Sequence, residues 1–259
     1  MSDAVMSERL LKGVAVVTGA NRGLGEALVL ELAKLGVTVA AVGRDGPALR
    51  AVAESAEGGR VHPVVLDLKD RAAVPVAFAG IERDLGPISV LINNAAIYPR
   101  CDFLEEDPAD FMTTVEVNLG GVVACSHAAL TSMVQTGFGR ILNVSTFADI
   151  APVAASAGYA VSKGAGRILT RAMVADLGDR FPDIVISEWM PGILATRMGV
   201  PEGLPPSEAA RWGARLALWH DRSLTGSTFV LDRELHPPRS LKRRVLDMLT
   251  RRSPVQRRL

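Results

Sequence analysis

The sequence predicts a single doubly wound α/β domain: a parallel seven-stranded sheet between two layers of helices. Three observations carry this reading. Short apolar runs alternate with longer segments of helical periodicity, the pattern of successive βαβ units. The chain has 259 residues, 48% of them hydrophobic, enough to bury one large core. No internal repeat, low-complexity stretch or Pro/Ser-rich linker divides it.

The apolar runs place strands at 14–18, 37–42, 61–66, 88–93, 140–145, 184–190 and 227–231. Helices fill the gaps at 23–35, 47–57, 71–85, 108–136, 158–180 and 207–220. Local chemistry fixes several ends. Asp107 suits an N-cap, with Pro108 at the first helical position and Asp110 near the positive end of the helix dipole. Gly36 and Gly137 sit where helices should stop. The domain is expected to run over 13–236, after an N-terminal extension of residues 1–12, with an irregular substrate loop at 193–206.

Net charge is +1, which gives the whole molecule no electrostatic reason to seek nucleic acid. The tail from 237 to 259 is different. It holds eight basic residues against Asp247 alone, a charge of +7 that leaves the body at −6. Leu241, Val245, Met248 and Leu249 fall near one helical face of this tail. Such a stripe can meet an anionic membrane, an acidic partner, or the acidic body of its own or a neighbouring subunit. The last is favoured, because one short basic helix is a weak membrane anchor. Two cysteines cannot build a disulfide framework, and the first twelve residues lack a secretory leader, so a cytoplasmic location is expected. The four histidines are scattered without metal-ligand spacing, so no metal is expected.

Chemistry begins at residues 18–25, Thr-Gly-Ala-Asn-Arg-Gly-Leu-Gly, which follow the first strand and open the first long helix. Glycines there let backbone N–H groups and a helix N-terminus approach a pyrophosphate. The turn therefore predicts a Rossmann-like dinucleotide site built from Gly19, Asn21, Arg22, Gly23, Leu24 and Gly25. At the end of the second strand a carboxylate would bind the ribose hydroxyls of NAD, whereas arginine would favour the 2′-phosphate of NADP. Asp45 has the spacing of such an acid, but the strand ends at Val42, which leaves Gly43 where the acid should stand, Arg44 next and Asp45 in the turn before Pro47. Arg22 and Arg44 together predict NADP(H). Downstream, Tyr159 and Lys163 lie four residues apart on one helical face, where an ammonium can draw a phenol pKa towards the working range.

Taken in order, these elements resemble the single-domain branch of the short-chain dehydrogenase/reductase family, over residues 12–231. The resemblance implies that Asp67, with Leu68, contacts adenine, and that Asn94 and Ala95 belong to the family's Asn-Asn-Ala-Gly segment. It implies that Asn118 anchors a proton-relay water and that Lys163 holds the nicotinamide ribose. It assigns the carboxamide to Thr196 and the backbone near Ile193, after the Pro191-Gly192 motif. The family's catalytic serine precedes the tyrosine by thirteen residues, which places Thr146 in that role; Ser145 should face the other way on its strand. The implied activity is the interconversion of a hydrophobic ketone and a secondary alcohol, in a homodimer or homotetramer. Ile97, Tyr98, Phe147, Val153, Met198 and Trp212 are candidate pocket residues.

Four positions depart from the family pattern. Ala96 replaces a glycine, which is tolerable unless its φ is positive. Asp149 replaces another, either facing substrate or, as favoured, standing solvated in the loop. Glu188 and Trp189 interrupt the sixth strand, and a glutamate there needs a partner. Residues 232–234, Asp-Arg-Glu, replace the usual Asp-Gly-Gly ending and put subunit packing at the C-terminus in doubt. The competing reading is a dinucleotide-binding regulatory protein that kept the fold and lost turnover.

Overall fold

A computed structural model describes residues 6–236 and 256–259. Seven parallel strands are β1 Val14–Thr18, β2 Thr38–Gly43, β3 Val61–Val65, β4 Ile88–Asn93, β5 Gly139–Val144, β6 Ile184–Met190 and β7 Thr228–Val230. An eighth, β8 Arg233–Leu235, pairs antiparallel with β7, so the sheet order is 3-2-1-4-5-6-7-8. The seven-strand expectation missed β8 because its three residues, Arg-Glu-Leu, contain no apolar run and follow β7 after only two residues.

Helices α1 Glu8–Lys12, α2 Gly23–Lys34, α3 Gly46–Ser55, α4 Ala73–Leu85, α5 Pro108–Val115, α6 Gly121–Thr136, α7 Ala157–Leu177 and α8 Pro206–Leu218 cover both faces. The strands feed two cores. Along β1, Ala15 and Val17 pack towards α2 and α8, while Val14 and Val16 pack towards α4 and α6. This alternation explains why the strand reads as a continuous apolar run. Trp189, fully buried on β6, occupies the first core, and Gly213 on α8 makes room for it: a Cβ there would lie 2.6 Å from the indole.

The expected continuous helix over 108–136 is interrupted by a π-helical turn, Glu116–Gly120, between α5 and α6. By length and composition this run could cross a membrane; here it flanks the sheet, with Cys125, Ala129 and Met133 in the second core. Asp107 caps α5 by accepting from Ala109 N, and Gly137 ends α6 with φ +63°.

The apolar stripe of the basic tail lies outside the described residues. The last four residues lie against β8 of the same chain. Glu234 N donates to Arg257 O at 3.0 Å, and Leu259 N to Asp232 O at 2.9 Å. Arg257 forms a two-pronged ion pair with Glu234, Arg258 pairs with Asp232, and Leu259 packs on the first core. The unusual acids Asp232 and Glu234 thus bind the chain's own C-terminus.

Candidate active site

The sheet order reverses between β1 and β4, and the candidate residues gather where these strands and β5 end. Thr18 Oγ1 accepts from the N–H groups of Asn94 and Ala95, both at 3.0 Å, while Asn94 Nδ2 donates to Thr18 O at 2.9 Å. These bonds tie the end of β4 to the glycine turn. Gly19 has φ +67°, and a Cβ there would lie 2.8 Å from Ala95 Cα; one on Gly25 would lie 2.1 Å from Gly19 O. Only glycine fits at either position.

The turn is built for an anion. Arg22 stands at the N-cap of α2 without a capping side chain, so the first N–H groups of this helix have no side-chain acceptor. Thr196 of the loop after β6 reaches the same turn, since a Cβ on Gly23 would lie 3.3 Å from its methyl group. These features fit the pyrophosphate of a dinucleotide. Asp45 is the N-cap of α3, its carboxylate accepting from Ala48 N at 3.0 Å, and is thereby withdrawn from ribose binding. Arg44 is exposed, 3.9 Å from Asp67, and Asp67 also accepts from Lys69 N. Leu68 is buried against α6, where Gly121 admits it.

On the other side of the crevice Thr146, Tyr159 and Lys163 come together, from the end of β5 and the first two turns of α7. Tyr159 is held neutral: burial raises its pKa, the Thr146 hydroxyl opposes this as a hydrogen-bond partner, and Tyr98 and Asp149 add to the rise. Lys163 Nζ lies 5.9 Å from the centre of the Tyr159 ring and donates to Val144 O at 2.8 Å. Burial lowers its pKa to about 8, against the opposing charges of Glu188 and Asp149. The expectation that Lys163 depresses the Tyr159 pKa is therefore corrected: burial of the phenol raises it, and the group that opposes the rise is the Thr146 hydroxyl.

Asn118 lies on the π turn, fully buried. Its Oδ1 accepts from Ile97 N at 2.7 Å, and its Nδ2 donates to Ile97 O and to Ser162 Oγ. The side chain thus fixes the loop after β4 that carries Ile97 and Tyr98. Ser145 is buried, its Oγ without a partner, while its N–H donates to Trp189 O. Thr146, partly exposed, is the hydroxyl that meets the tyrosine.

Of the candidate pocket residues, Tyr98 stacks on Tyr159, and Phe147, Val153 and Met198 are exposed at the rim. Trp212 packs against the first core and leaves the set. Ala96 escapes strain, because the non-glycine residues of positive φ among those described are Ala155 and Leu231. Pro191, Gly192 and Ile193 follow β6; Gly192 takes φ +87° beside Leu231, and Ile193 is exposed. Asp149 is corrected outright. Neither solvated nor turned to substrate, it is buried in an ion pair with Arg167, a residue the linear sequence gave no reason to single out.

Known proteins agree with this geometry. The family model for short chain dehydrogenase matches residues 13–204. Gluconate 5-dehydrogenase of Gluconobacter oxydans is 35% identical over 186 residues, covering 71% of this chain and 72% of its own. A short-chain type dehydrogenase/reductase from Mycobacterium marinum superposes with a TM-score of 0.78 at 26% identity, over 86% of this chain and 95% of its own. A metagenomic short-chain oxidoreductase in complex with NADP gives a TM-score of 0.72 at 30% identity, over 81% and 92%. With its glycine-rich turn, paired Tyr159 and Lys163, and a family match across three-quarters of its length, the chain belongs to the short-chain dehydrogenase/reductase family, oxidoreductases of alcohols and carbonyls that use NAD(P).

Proposed function

We propose that this protein is an NADP(H)-dependent oxidoreductase that interconverts a hydrophobic ketone and a secondary alcohol, with Tyr159 as general acid and base. The observation that carries this reading is the convergence of Thr146, Tyr159 and Lys163 beside the glycine cradle. When bound, the nicotinamide supplies or accepts the hydride.

The protein's residues position and move the proton. A neutral Tyr159 phenol donates to the carbonyl oxygen as charge develops on it, and in the reverse direction the phenolate takes the alcohol proton. The Thr146 hydroxyl donates a hydrogen bond to the same oxygen. Lys163, with a pKa of about 8, stays largely protonated at neutral pH and offsets negative charge on Tyr159; when a ribose is present its ammonium would hold the hydroxyls. Asn94 and Ala95 shape the floor of the site, and Thr196 with the Ile193 backbone would meet the carboxamide.

Arg22 and Arg44 support the choice of NADP(H), since Arg44 follows Gly43 at the end of β2, Arg22 follows Asn21, which faces Gly43, and no carboxylate replaces Gly43. Gly43 itself faces Asn21, whose Oδ1 would be 3.2 Å from an added Cβ. Exposed Met112 on α5 and Val161 and Ile168 on α7 support a homodimer or homotetramer through these helices, checked by light scattering. Free Cys101 and Cys125 support a cytoplasmic setting.

The deciding experiment follows NADPH absorbance against a panel of apolar ketones. Turnover on at least one is expected. NADPH binding with no turnover on any would favour the regulatory protein instead.

A further inference from the structure

Two departures from the family pattern, 39 residues apart in sequence, meet in space. Asp149, in the loop after β5, and Glu188, on β6, have side chains only 5% and 6% exposed. Between them lies Arg167 of α7, itself 14% exposed. Its Nε is 2.7 Å from Asp149 Oδ2 and 4.0 Å from Glu188 Oε2, and its Nη2 donates to Asp149 Oδ1 at 3.0 Å. The Nε contacts are ion pairs, whereas Nη2 makes the aligned hydrogen bond. Glu188 also accepts from Thr228 Oγ1 at 3.3 Å, with Arg171 acting from farther along α7. Gly164, one turn before Arg167, faces the Asp149 side chain.

The same guanidinium nitrogen reaches the catalytic loop directly: Arg167 Nη2 donates to Thr146 O at 3.2 Å. Asp149 Oδ1 and Thr146 O thus share one donor, and the segment 146–149 is drawn onto α7, the helix that carries Tyr159 and Lys163. Within that segment Thr146 Oγ1 accepts from Ala148 N at 3.3 Å, which restricts the hydroxyl further.

We infer that Arg167 is a positioning residue for the reaction, and that Asp149 and Glu188 hold its guanidinium so that it sets the Thr146 hydroxyl against Tyr159. The clamp's charges also face the reacting groups. Around Lys163 stand Tyr159 on its own helix, Asp149 on the β5 loop and Glu188 on β6, and both acids favour its charged form. Loop segments that carry catalytic groups need such support, because small misplacements of a reacting group cost large factors in rate.

This inference rests on the proposed role of Thr146 and Tyr159, and its test has a reading that needs no substrate. Removing one charge alone would strand the others in the interior. The informative variant is therefore the neutral, nearly isosteric triple Asp149→Asn, Arg167→Met and Glu188→Gln, checked for a melting temperature near that of the wild type. The chain has two tyrosines, so ring-labelled tyrosine gives two NMR signals, assigned with Tyr98→Phe. Thr146→Val marks where the Tyr159 signal moves when the hydroxyl is lost. In the triple variant that signal is expected to move the same way, and kcat on a ketone reduced by the wild type to fall about tenfold or more at unchanged NADPH affinity.

A Tyr159 signal and a kcat both at wild-type values would overturn the inference, leaving the clamp a matter of stability alone. If the triple variant melts far below the wild type, Arg167→Lys replaces it under the same two readings, since it keeps the positive charge between the two acids and loses the fork that ties Thr146 O to Asp149. If the wild type reduces no ketone, the proposed function fails and the tyrosine signal still decides the clamp.

Discussion

The rings of Tyr98 and Tyr159 stack with their centroids 4.4 Å apart and their planes at 22°. Tyr98 thereby covers the phenol that must meet substrate, and its position is fixed from below by the Asn118 grip on Ile97. Burial is the largest cause of the raised Tyr159 pKa, with Tyr98 a further one. Tyr98→Ala is therefore expected to let Tyr159 ionise at lower pH and to shift the Tyr159 limb of the pH–rate profile downwards. Tyr98→Phe keeps the stack and should leave that limb close to wild type.

The two adjacent hydroxyls should separate cleanly. Thr146→Ala is expected to lower kcat about a hundredfold, the scale of a lost donor to a developing oxyanion, while Thr146→Ser stays within tenfold of the wild type. Ser145 Oγ is buried without a partner, so Ser145→Ala should keep activity and gain about 1 kcal/mol of stability. Steady-state kinetics and thermal melts of the three variants check this.

Cofactor choice turns on which side chain meets the ribose. Arg44→Asp should weaken NADPH binding roughly tenfold to a hundredfold and spare NADH, the scale of a lost charge-assisted hydrogen bond. Asp45→Ala removes only a helix cap, so it should cost about 1 kcal/mol of stability and leave the preference intact. Isothermal titration with both cofactors tests the pair.

Lys163 sets function against stability. Its folded pKa of about 8 lies below the ordinary 10.5, so the folded state resists the charge that the unfolded chain accepts freely. The cost is fully present below pH 8, amounts to roughly 3 kcal/mol, and disappears as pH rises from 8 to 10.5. Lys163→Met is thus expected to melt higher than the wild type at pH 7, less a little for the lost bond to Val144 O, with the gap closing towards pH 10.5. Paired thermal melts across this range measure it.

Much of the fold is legible in the sequence because the central strands feed two cores and read as apolar runs, and α3 and α5 carry their own aspartate caps. The glycine turn, Tyr159 and Lys163 are legible for a related reason: their chemistry depends on local spacing. What escapes is set by distant partners. The π turn at Asn118 and the three-residue β8 have no periodic signature of their own. Asp149 reads as a solvated loop acid and Glu188 as a costly strand acid until Arg167, far from both in sequence, is seen between them. Asp232 and Glu234 likewise make sense only once Arg258 and Arg257 return to them.

The most direct measurement is hydride transfer by Tyr159→Phe on a ketone that the wild type reduces. The variant loses only the proton-transfer hydroxyl, so kcat is expected to fall by at least a thousandfold while NADPH affinity stays near the wild-type value. A Tyr159→Phe protein that keeps most of its turnover would contradict the assignment of Tyr159 as the acid and base.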